Sequence, residues 1–239
     1  MLRIATLTAL CALLAGSALA ADAPPSSLEA RRKALNDLLA EQWEYTLSTN
    51  PEFASIIGDK RWNDKSSDNS LAAIEKDLEK TAEFLKRFEA VDTAGFPEQE
   101  QLNKTLMVRE LKEGLEGAKF KGWEMPVTQI SGIHIQAPQF VAYLPFDTTK
   151  DYDDYLTRLK NLPKQMDDTM DNMRRGMADG LMPPKFLLEK VVPQAETIAK
   201  ADPEKSPFAQ CLSKFPKTLP EADQKRNHDA LVAIIRDSI

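Results

Sequence analysis

The chain has 239 residues, of which 42% are hydrophobic and 28% charged, with only nine glycines; it can bury a sizeable core, and helix is favoured over sheet. A formal charge of −6 without a basic stripe excludes nucleic acid as a partner. So modest a negative charge is an ordinary solubility device and identifies no protein partner.

The first twenty residues have the form of an export signal. Arg3 supplies a positive start, and an apolar run from Ile4 to Leu14 follows that is too short to span a bilayer. Ala18, Leu19 and Ala20 then place small residues where signal peptidase needs them. Cleavage is expected after Ala20, leaving a periplasmic or secreted product with no membrane span. Cys11 lies inside the apolar run behind Leu10, where lipid attachment would need a small residue, so it is not read as a lipid anchor. After cleavage Cys211 stands alone, flanked by Leu212 and near Phe215, with no local His or Asp to activate it. It is read as packing.

Residues 21–27 read as a flexible leader. Ser26 with Glu29 suggests a capping box for a helix carrying Leu28, Leu35, Leu38, Leu39, Trp43 and Leu47 at helical spacing. Asn50 and Pro51 end it and open a short helix closed by Gly58, followed by a polar loop to Asn69 in which Trp62 is expected to plug a helix seam. Leu71, Ile74, Leu78, Thr81, Leu85 and Phe88 form a heptad stripe on the next helix. Gly95 breaks it, and a helix from near Pro97 through Leu102, Leu106, Val108, Leu111 and Leu115 returns as its antiparallel neighbour.

Residues 122–150 differ in character. They hold three prolines, no charge between Glu124 and Asp147, and a brief alternation through Ile133, His134, Ile135 and Gln136. So apolar a connection is expected to be irregular and covered, either by this domain or by further chain. A helix then runs to Pro163, and a second pattern with Met166, Met170, Met173 and Met177 ends at Gly180. The methionines are read as a seam facing neighbouring helices, with an adaptable binding groove as the alternative. Pro183 and Pro184 open another helix. Pro220 opens the last, whose Leu231, Val232, Ile234 and Ile235 form an apolar face close to the uncapped end at Ile239. These signals predict an all-α, antiparallel helical array with one long irregular apolar connection, residues 28–239 being the N-terminal part of a larger domain that continues past Ile239. The apolar connection and the last helix's face are expected to be wet without that further chain.

Chemistry-bearing motifs are missing from the sequence. Its two histidines, His134 and His228, have no second His four residues away and no Glu beside them as in a zinc-peptidase helix. No nucleophile elbow, phosphate loop or dinucleotide glycine pattern occurs. No catalytic, cofactor-binding or metal-binding residue is therefore assigned. His134 and Gln136, set in the uncharged connection, are candidates to line a groove.

Three stretches carry a resemblance: QWEYTLSTNPEFASIIGD at 42–59, YLTRLKNLPKQMDD at 155–168 and RRGMADGLMPPKFLLEKV at 174–191. Together they resemble the N-terminal part of the bacterial domain-of-unknown-function family numbered 885, over nearly all of the chain after residue 20. The resemblance implies an exported, all-helical, zinc-peptidase-like hydrolase whose histidine motif lies in a C-terminal half. No residue here matches that motif. The expectation is thus a segment that binds no zinc and is inactive alone, with its remaining polypeptide as partner and a peptide as substrate of the whole. A self-sufficient exported binding or scaffolding module is the alternative.

Overall fold

A computed structural model describes residues 27–239, so the export signal, Cys11, Ser26 and most of the leader lie outside the described residues. Among the described residues every regular element is helical: α1 Leu28–Thr49, α2 Pro51–Ile56, α3 Leu71–Ala90, α4 Glu98–Ala118, α5 Ile133–Phe140, α6 Thr149–Asp179, α7 Lys185–Ala199 and α8 Glu221–Ser238, joined in places by short 3-10 turns. None of these helices is long and apolar enough to cross a membrane.

Caps account for most boundaries. The α1 cap is Ser27, whose hydroxyl accepts from the Ala30 N–H at 3.2 Å, one residue later than the capping box expected at Ser26. The shift moves Glu29 out of the reciprocal position. A full capping box occurs instead at α6, where Thr148 and Asp151 exchange side-chain and backbone hydrogen bonds. Asn50 and Pro51 open α2, Pro97 precedes α4, and Gly180 closes α6 at φ +75, a left-handed turn that suits glycine.

Two cores hold the helices. Leu35, Leu38, Phe84, Phe88, Phe96 and Leu111 join α1 to the α3–α4 hairpin. That hairpin is antiparallel, since the start of α3 (Ala73, Asp77) and the end of α4 (Gly114, Gly117) face one cleft. The second core gathers Val141, Tyr155, Leu159, Leu162, Phe208, Ala209, Leu231 and Ile235 from the α5 region, α6, the 207–213 turn and α8.

Four expectations need correction. First, Pro163 does not end a helix: α6 runs unbroken for 31 residues. An interior proline loses one hydrogen bond and crowds the previous turn, at about 3 kcal/mol. Buried Leu159 and Leu162 beside it offset that cost. Second, the 122–150 connection is not wholly irregular, because Ile133 to Phe140 wind into α5 despite Pro138. Third, the apolar surface expected to be wet is mostly covered within these residues. Val127, His134, Pro138 and Val141 are buried, as are Leu231 and Ile235 of α8. Ile130 and Tyr143 stay exposed.

The fourth concerns the methionines. Three adjacent lines of α6, each with a step of seven, face the protein: Tyr155, Leu162, Thr169 and Gly176; Arg158, Gln165 and Asn172; and Leu159, Met166 and Met173. The first line is buried throughout. Met170 and Met177 fall on an outer line and are 43% and 64% exposed, so only half of the stripe joins a seam. Gly176 is buried for a steric reason. A Cβ there would stand 2.4 Å from the Glu124 carbonyl oxygen, because the 122–124 turn docks its backbone against α6.

Candidate functional site

The Arg158, Gln165 and Asn172 line makes α6 a rail for the polar 59–70 loop. Gln165 donates to the Ser67 carbonyl at 2.9 Å, and Asn172 to the Asn69 carbonyl at 2.8 Å. Arg158 does most. Its Nε donates to the Lys65 carbonyl at 2.6 Å and its Nη2 to the Trp62 carbonyl at 2.8 Å. Further bonds reach the Ser55 hydroxyl at 3.1 Å and the Pro51 carbonyl at 3.3 Å. Ser55 in turn donates to Asn63 Oδ1 at 2.8 Å, so both buried polar residues are satisfied. Step-seven polar residues opposite a polar loop were the signal available in the sequence; an apolar-stripe reading passes over it.

Arg158 is 5% exposed and has no ion-pair partner among the described residues. Burial pulls its guanidinium below the usual arginine range, against the more distant pull of Glu52, Asp64 and Asp154. Its Cζ sits 4.8 Å from the centre of the Phe140 ring, a cation–π contact. Phe140 and Arg158 both line a cavity of about 420 Å³ between α2, α5 and α6, floored by Ile133, Leu159, Leu162 and Phe208. Glu52 lines it too, held by the Ser67 N–H at 3.1 Å, the Ser67 hydroxyl and Gln165. A buried cation beside an apolar hollow is the most distinctive chemistry among the described residues.

His134 and Gln136, the two candidates to line a groove, lie against different cavities. Gln136 borders the Arg158 cavity, while His134 faces a cavity of about 560 Å³ with Gln194, Ile198 and Gln210. Two positions apart on a helix turns side chains by roughly 200°, so the pair cannot converge. His134 is 8% exposed, and its Nε2 lies 3.3 Å from Gln194 Oε1. Gln194 also donates to the Gln129 carbonyl at 3.0 Å, which makes its Oε1 the acceptor and puts the His134 proton on Nε2. Nδ1 is buried with no partner among the described residues, close to where a Cβ on Gly132 would lie.

His228 sits far along the chain on α8, near Asp229 and Glu204. Among the described residues no three His, Cys, Asp or Glu side chains form a group that could hold a metal ion. The residues present do not fit the zinc that the resemblance implies for a whole protein. Cys211 is half-buried against the second core, and burial pushes its thiol up to about 12, too high for a nucleophile. Burial likewise pushes the Tyr152 hydroxyl up to about 12, and that group has no partner among the described residues.

Comparison with known proteins places this architecture. The crystal structure of an inferred lipoprotein from Colwellia psychrerythraea is similar over 87% of this chain, with a TM-score of 0.76 and 14% identity. At that identity the likeness is one of fold. The chain spans 39% of the length of that protein. A comparison with curated proteins finds no match. The family described as bacterial protein of unknown function (DUF885) matches residues 51–239, from the start of α2 through α8. By that match, covering most of its length, the chain belongs to the DUF885 family.

Proposed function

We propose that this chain is the N-terminal helical wall of an exported, metallopeptidase-like hydrolase, with residues 28–239 forming part of a larger domain. The observation that carries the reading is α7. Its 15 residues contain no buried side chain, and Phe186 and Val192 are 62% and 59% exposed. A helix bearing Phe186, Leu187, Leu188, Val191 and Val192 on so open a surface calls for a covering partner. The Colwellia protein, with 61% of its length outside the similar region, shows how much further chain can accompany this fold. In this reading the covering partner is the rest of the same polypeptide, which brings the zinc ligands and a peptide substrate. The 239 residues alone bind no catalytic zinc and hydrolyse nothing.

Export rests on the Arg3, Ile4 to Leu14 and Ala18-Leu19-Ala20 pattern, with cleavage after Ala20. The lipoprotein description of the Colwellia protein agrees in direction. Amino-terminal sequencing of the exported protein tests this: a mature chain beginning at Met1 overturns it.

The wall reading is tested by the coding frame past Ile239. Continuation into a histidine-bearing helix, with one zinc per molecule of the longer protein and cleavage of quenched-fluorescence peptides, is the expected result. A stop codon after Ile239 ends the proposal. It would leave the second reading, a self-sufficient exported binding module, which the Arg158 cavity favours.

A further inference from the structure

We propose that the cavity between α5 and α6 binds a small monocarboxylate with an apolar body, its carboxylate meeting Arg158 and its body resting on Ile133, Leu159, Leu162 and Phe208. The inference stands on the cavity alone and holds under either reading above.

The first argument is charge. Removing a guanidinium from water is costly unless a counter-charge or a full set of acceptors replaces the water. Arg158 has acceptors but no ion-pair partner among the described residues. Its Nη1 carries two hydrogens and makes one hydrogen bond, to Ser55, so a donor is left for a ligand. The acceptors it does have are neutral carbonyls and a hydroxyl, which hold the group in place without cancelling its charge. A carboxylate adds the missing charge through a charge-assisted bond.

The second argument is selectivity. Glu52 lines the same cavity, held by Ser67 and Gln165, and it repels any anion there, a dianion about twice as strongly as a monoanion whose single charge Arg158 offsets. Monoanions are therefore favoured over phosphate monoesters. At the rim, the side chains of Gln136, Gln139 and Asn69 line the cavity and make no hydrogen bond to another described residue. They offer donors and acceptors to a ligand's polar middle, as in an acylated amino acid; a plain fatty acid uses the floor alone. A volume of about 420 Å³ suits either.

The test uses the purified exported protein and calorimetric titration. Octanoate should bind at a single site, and octanamide, its uncharged isostere, about tenfold or more weakly. Octyl phosphate should bind less tightly than octanoate because of Glu52. N-acetylphenylalanine run beside octanoate identifies the source: whichever binds more tightly names the class, and charge-dependent binding of either supports the site. Gln139→Glu, an exposed change outside both cores, should weaken octanoate several-fold more than it weakens octanamide, because only the acid meets the added charge. Arg158→Met should erase the difference between acid and amide; if that variant does not fold, Gln139→Glu carries the decision. Equal affinities for octanoate and octanamide, tighter binding of octyl phosphate, or no saturable binding of either carboxylate overturns the proposal.

Discussion

Two helices joined by residues 180–184 have opposite fates. Both α6 and α7 carry apolar residues at helical spacing, and each contains an interior proline, Pro163 in one and Pro193 in the other. Yet α6 buries ten residues and α7 none. The difference lies in what stands opposite. Every inward line of α6 meets a partner: Tyr155 and Leu162 of one line and Leu159 and Met166 of another join the second core, Arg158, Gln165 and Asn172 meet the 59–70 loop, and Gly176 meets the 122–124 turn. For α7 the inward contacts are few, chiefly Gln194 to His134 and Gln129, and Ile198 to the second core. An amphipathic pattern makes a helix; only a complementary surface makes it part of a core.

This contrast is broken or sharpened by four substitutions, in order of expected effect. Leu159→Ala empties a buried site on α6 and should lower stability by about 2–5 kcal/mol in urea unfolding. A loss below about 0.5 kcal/mol, the range of an ordinary surface change, would deny α6 its anchoring role. Gly176→Ala drives a methyl against the Glu124 carbonyl, at about 1–3 kcal/mol, and should release the 122–124 turn to faster amide exchange. Unaltered exchange there would show that the turn yields freely.

Asp151→Asn tests the start of α6. Burial raises the Asp151 carboxyl, but bonds from the Thr148 hydroxyl and backbone, with Lys60 at 3.3 Å, outweigh it and hold the group below its ordinary 3.8. A carboxyl depressed by folding contributes stability above its unfolded value and loses it as pH falls through the folded one. The variant should cost about 1 kcal/mol at neutral pH, and the gap should close as pH falls through the depressed folded-state value of Asp151. A gap that persists in acid would assign the cost to shape and not to charge.

Phe186→Ser on α7 should have the smallest effect on stability, within about 0.5 kcal/mol. It should also reduce binding of a hydrophobic dye, because a 62% exposed ring leaves the surface. A large loss of stability would mean that α7 is packed after all, and the comparison with α6 would collapse.

How much of this was legible differs from element to element. The α2, α4 and α7 starts follow from Pro51, Pro97 and Pro184, and the α6 end follows from Gly180, because proline and glycine act on the local backbone whatever lies nearby. Ser27 and Ser26 were not separable, since either hydroxyl can reach an amide of the first turn. The continuity of α6 through Pro163 was hidden, because burial on both sides decides it. Ile133 to Phe140 form a helix despite an alternating pattern, as short apolar runs permit either choice. Within the candidate site, Gln136 was noticed for its apolar setting. Arg158 was passed over as one charge among many on a helix face.

By itself, then, the sequence determined the helical class and most helix ends, which rest on interactions within a turn or two of chain, and it carried the stretches that resemble DUF885. Tertiary structure alone decided which α6 line is buried, that half of the methionine stripe stays outside, and that Arg158 ends beside a hollow with no carboxylate paired to it among the described residues. Several step-seven lines on one helix are equivalent until a neighbour covers one of them. A buried charge is likewise invisible until the fold takes its water away.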